Sequence, residues 1–89
     1  MKSYKFIVSG TVQGVYYRKN VHQHAQQLNF SGYVKNLPDG TVEAAVSCDE
    51  SHVNDFISML RQGSRHSVVT DIKQSQTSEL FDGPFKIRR

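Results

Sequence analysis

The sequence holds one cysteine, Cys48, so an intramolecular disulfide is excluded and a reducing compartment is the simplest expectation. It holds no tryptophan, and the aromatic share of a core must come from its five Phe and four Tyr. Prolines are two, Pro38 and Pro84, which leaves no Pro-rich linker. No apolar run reaches the length of a membrane span, and Met1 to Val8 lacks the apolar stretch of a secretory signal. A soluble, cytoplasmic monomer is therefore the expectation. No run of five basic residues occurs, so there is no polybasic tail, although the formal net charge is +3. A mildly basic balance suits an anionic substrate or a nucleic acid and chooses neither. With 89 residues, 37% hydrophobic and 21% charged, the composition is that of one folded domain spanning residues 1–89.

Periodicity gives the elements. Tyr4, Phe6 and Val8 alternate with Lys5 and Ser9 and predict a strand that Gly10 ends. Tyr17, Val21, Ala25 and Leu28 form one helical stripe, opposite Lys19, Asn20, Gln23, Gln26 and Gln27. Gly32 stands where a left-handed helix cap is expected. Tyr33–Asn36 and Thr41–Ser47 read as a hairpin across Leu37-Pro38-Asp39-Gly40, residues suited to a tight turn. A second helix begins near Asp49, Glu50 and Ser51, with Ser51 or Asp49 as its expected cap. Its apolar side is Val53, Phe56, Ile57 and Leu60, and Gly63 ends it. Strands over residues 67–76 and 84–88 complete the chain. The order βαββαβ plus a short C-terminal strand predicts an α+β, ferredoxin-like split βαβ sandwich: an antiparallel sheet with two helices on one face.

The segment Gly10 to Arg18 leads from a strand into a helix. Amides at a helix start are unpaired and point outward at its positive end. A Gly-containing turn there lets successive N–H groups curl around an anion, and the Arg18 fork matches phosphate oxygens. A strand–helix turn with a solvated Arg fits the pattern equally well. The ending is not that of a Walker loop, which needs Gly-Lys followed by Ser or Thr. Topology adds Asn36. In a split βαβ unit the first two strands run parallel with the third between them, so Arg18 and Asn36 fall at one sheet edge. Two strand spacings, roughly 10 Å, separate them. Asn36 offers an acceptor and donors, and can hold a water beside an oxyanion.

Gly10-x-Val12-Gln13-Gly14-Val15-x-x-Arg18, Gly32-Tyr33-Val34-Lys35-Asn36 and Asp39-Gly40-x-Val42-Glu43 together resemble the acylphosphatase signature. The resemblance implies hydrolysis of acyl phosphates to a carboxylate and phosphate, without a metal or cofactor. It implies that Arg18 binds the phosphoryl group and Asn36 positions the attacking water. The backbone amides of Gln13, Gly14, Val15, Tyr16, Tyr17 and Arg18 would cradle the phosphate. Two segments depart from the family pattern. Tyr16-Tyr17 stands where Gly-Phe or Phe-Phe is usual, so Tyr17 needs a partner for its hydroxyl. Gly63-Ser64-Arg65-His66-Ser67-Val68 lacks the usual Pro and Ala.

The remaining candidates carry less. His22 and His24 are two apart on a helix and face different ways, and no four-ligand zinc spacing occurs. His52 follows Cys48 by four residues, but a strand end and a helix start separate them, so no His partner for Cys48 is evident. A nucleic-acid module of the same fold would use sheet aromatics such as Tyr33, but Thr41–Ser47 lacks the aromatic RNA-binding motif. A domain that keeps the phosphate cradle without turnover is the other competitor. The expected partner is a small acyl phosphate, with no nucleic acid and no membrane.

Overall fold

Alternation builds the first element of the computed structural model, which describes residues 1–89. Tyr4, Phe6 and Val8 are buried on one face of β1 (Lys2–Thr11), while Lys5, Ile7 and Ser9 are half-buried on the other. Gly10 does not end this strand. It sits at a register shift against β4 (Val68–Thr77), with φ at 126°. A Cβ there would collide with the Val68 carbonyl, so the bulge needs glycine.

Helix α1 (Tyr17–Gln27) buries Tyr17, Val21 and Ala25. Leu28, expected on the same stripe, caps the helix and is 55% exposed. The chain turns at Asn29, φ 60°, where Asn29 N–H reaches the Gln26 carbonyl and Phe30 N–H reaches that of Ala25. That is the Schellman pattern, with Asn tolerating the left-handed conformation. Gly32 is therefore not the cap. It lies inside β2 (Ser31–Asn36), opposite Val46, where a Cβ would strike the Ala45 carbonyl.

Strand β3 (Val42–Cys48) returns antiparallel to β2 and also pairs with β1. A short 3₁₀ turn, Glu50–His52, leads into α2 (Val53–Gln62). Neither expected cap binds a helix amide. Ser51 instead donates to the Asp49 carboxylate at 2.8 Å, because the 3₁₀ turn displaces both from the α-helical end. Val53, Phe56 and Leu60 are buried as their spacing demands, and Met59 joins them.

The sheet order is β4-β1-β3-β2-β5, with β5 spanning Lys86–Arg88. The first four strands are antiparallel as expected. β5 runs parallel to β2, so the complete sheet is mixed. One apolar cluster joins the inner face of the sheet to both helices, with Phe56 at its centre. The Phe56 ring lies 5.3 Å from Phe6, 5.2 Å from Phe30 and 6.1 Å from Phe85. On the outer face, Tyr33 is covered rather than open. Phe81 meets its ring edge-on at 5.5 Å, and the Arg88 guanidinium lies 4.0 Å over its centroid. No helix is long and apolar enough to cross a membrane.

Candidate active site

The site begins where β1 leaves the bulge at Gly10. Val12 is buried and pins the loop to the core. The backbone then takes positive φ at Gly14 (75°) and again at Tyr16 (62°). This alternation curls the chain, and no backbone N–H from Gln13 to Arg18 finds an acceptor in the protein. A row of free amides at a helix start has the chemistry to hold an anion.

Side chains hold the curl from three sides. Gln13 Nε2 donates to the carbonyls of Leu37 and Thr41, each at 2.8 Å. That ties the loop to the β2–β3 hairpin, which carries Asn36. Ser64 Oγ donates to the Val15 carbonyl at 2.6 Å. Asn20 donates twice to the Tyr16 carbonyl, from its backbone at 3.1 Å and from Nδ2 at 2.9 Å.

Tyr16 and Tyr17 part company here. Tyr16 projects to solvent, 74% exposed. Tyr17 turns into the core, and its hydroxyl donates to the Leu60 carbonyl at 2.7 Å. The partner that its hydroxyl requires is thus present. Burial pushes the Tyr17 phenol far above its ordinary value, so it stays neutral.

Arg18 and Asn36 reach one cavity of about 390 Å³, together with Gly14, Tyr16 and Tyr17. Arg18 Nη1 donates to the Arg88 carbonyl at 3.1 Å, which leaves the rest of its fork free. Neither Arg18 nor its neighbour Lys19 is paired with a carboxylate. Asn36 Oδ1 is buried and has no hydrogen-bond partner.

Two predicted cradle residues do not line the cavity with their side chains. Gln13 points to the hairpin and Val15 packs on the core, so both can contribute only backbone. Sequence reasoning missed Lys19 and Ile87, which line the cavity. Lys19 follows Arg18 at a helix start, and that adjacency was a usable signal. Ile87 arrives through the parallel pairing of β5 with β2, which no local pattern announces.

A larger groove of about 830 Å³ lies at the opposite end of the sheet, lined among others by His24, Cys48, His52 and Met59. Its volume exceeds that of the Arg18 cavity, and His24, whose Nδ1 is buried without a partner, lines it. No three His, Cys, Asp or Glu side chains come close enough to share a metal. Burial, and then the nearby Asp49 charge, push the Cys48 thiol up, away from a reactive thiolate. Arg18, Lys19 and Asn36 all line the smaller cavity.

Comparison with known proteins agrees with that geometry. The family model described as Acylphosphatase matches residues 4–87. An acylphosphatase of Hahella chejuensis is 46% identical over 69 residues, covering 78% of this chain and 73% of the relative. One from Methanocella arvoryzae is 36% identical over 88 residues, covering 99% and 100% of the two chains. The crystal structure of acylphosphatase from Bacillus subtilis superposes with a TM-score of 0.89 at 36% identity over the full length of both.

Proposed function

The chain belongs to the acylphosphatase family and hydrolyses acyl phosphates, and on that premise we propose how its residues divide the work. Residues 1–89 act as one domain. The amides of Gln13 to Arg18 and the Arg18 guanidinium hold the phosphoryl oxygens. Asn36 holds the attacking water. The observation that carries this reading is that Arg18 and Asn36 line one cavity beside the row of free amides.

The chemistry asks for little more. A carboxylate is a good leaving group, so no strong general acid is needed to expel it. What remains is to place water in line with the phosphorus–oxygen bond that breaks, and to stabilise charge on the equatorial oxygens. The water gives its oxygen to phosphorus, the carboxylate departs with the bonding pair, and the phosphate sheds a proton to solvent. Arg18, Lys19 and the free amides supply positive potential without a metal ion. Arg18 exchanges its contact with the Arg88 carbonyl for the stronger, charged phosphate. The working form is a cytoplasmic monomer acting on small acyl phosphates. The covering of Tyr33 by Arg88 and Phe81 weighs against the nucleic-acid reading, which needs an exposed ring for base stacking.

Benzoyl phosphate hydrolysis at neutral pH with excess chelator tests this. Wild type is expected to turn over fast and to be indifferent to chelation. Arg18→Ala and Asn36→Ala should each lower kcat by about 10²-fold or more, the scale of losing one transition-state donor. Near-normal turnover in either variant would refute its assignment.

A further inference from the structure

We propose that Ser64, on the turn between α2 and β4, is a positioning residue that aims the Tyr16 amide into the phosphate cradle. This rests on the reading of the 13–18 loop given above. A trans peptide is planar, with the carbonyl of one residue and the N–H of the next pointing in opposite directions. Ser64 Oγ holds the Val15 carbonyl at 2.6 Å on the inner side of the loop. The Tyr16 N–H on the same peptide must then point the other way, toward the cavity that Tyr16 lines.

The loop needs such a lock at this plane more than at its neighbours. Val15 lies between two residues of positive φ, Gly14 and Tyr16. For Tyr16 this conformation is intrinsically unfavourable. The next plane is secured by the helix, because the Tyr16 carbonyl receives both Asn20 donors. The Val15 carbonyl has Ser64 alone.

Ser64 is itself held in place. Its N–H donates to Ser67 Oγ at 2.9 Å, and its carbonyl accepts from Ser67 Oγ at 2.9 Å and from Ser67 N–H at 3.2 Å. Gly63 packs so closely on the Tyr17 ring that a Cβ would collide with it, which docks the whole turn against the helix start. The Ser64–Ser67 bonds thus give by hydrogen bonding the rigidity that this segment lacks in proline.

The test compares Ser64→Ala with wild type by inhibition with inorganic phosphate, by kcat and KM for benzoyl phosphate, and by the Tyr16 amide NMR shift during phosphate titration. The alanine variant should weaken phosphate by about tenfold, the scale of one lost hydrogen bond. It should lower kcat/KM at least as much and shrink the Tyr16 amide response, with recovery in Ser64→Thr. Should the alanine variant fail to fold, Ser64→Cys keeps the shape with a weak donor and must show the same losses. A folded variant that binds phosphate normally and keeps the Tyr16 response, with only its melting temperature lowered, overturns the proposal. Wild-type protein that does not bind phosphate at all overturns the cradle reading, and this proposal with it.

Discussion

Tyr17 shows how one atom can link two helices. Leu60 lies in the last turn of α2, where carbonyls have no partner further along the helix. The Tyr17 hydroxyl satisfies that carbonyl from the start of α1. Tyr17→Phe should therefore leave a buried acceptor unpaired and cost about 1–3 kcal/mol of stability. Urea unfolding followed by circular dichroism would show a lower midpoint with an unchanged slope. The same scale marks the limit of what the sequence disclosed. Arg18 and Asn36 were legible because motif and topology both pointed to them. The side-chain role of Gln13 was not, since its two acceptors lie on a separate hairpin. Ser64 looked like a loop residue until the fold set it against Val15.

At the scale of elements, the hairpin that presents Asn36 is tied by its own turn. Asp39 accepts from the Thr41 hydroxyl at 2.6 Å and from the Thr41 N–H at 3.0 Å. The hydroxyl first, and the amide second, hold the Asp39 carboxyl below its ordinary value. A carboxylate with a depressed folded-state pKa stabilises the fold fully above its unfolded pKa, about 3.9 for Asp. That contribution is lost as pH falls through the lower folded value. Wild type should thus melt slightly higher than Asp39→Ala at neutral pH, and the gap should close as pH falls below about 4. Melting curves of both proteins from pH 7 to pH 2 would check it. The hairpin itself was plain from Leu37-Pro38-Asp39-Gly40 between two apolar runs. The end of α1 was not. Glycine at position 32 was the obvious cap, but Asn29 takes the left-handed turn, and Gly32 is needed where two strands come too close for a side chain. A glycine required by backbone approach and one required by φ look alike in one dimension.

For the whole molecule, the net charge of +3 concentrates its effect where Arg18 and Lys19 face the cavity without carboxylates. On the proposed reading, a doubly charged phosphate is drawn there by a field that salt screens over about 8–10 Å at physiological ionic strength. KM for benzoyl phosphate should rise as sodium chloride goes from about 0.05 to 0.5 M, while kcat changes much less. Steady-state kinetics across that range would check it. A flat KM would show that short-range contacts alone capture the substrate. The βαββαβ order was readable because each element carried its own period. The parallel seat of β5 was not, because three residues have no period to read.

The strand order also sets a clock. Of the four strand pairings only β2 with β3 joins neighbours in sequence. β1, made before both its partners, must wait for β3 on one side and for the still later β4 on the other. Chains whose pairings are this distant fold slowly, since long loops must close before any contact rewards them. Until then Tyr4, Phe6 and Val8 stand on a strand with both edges open, the species most prone to join another chain. The strand that leads into the 13–18 loop is thus also the strand of this sheet that goes longest without its partners.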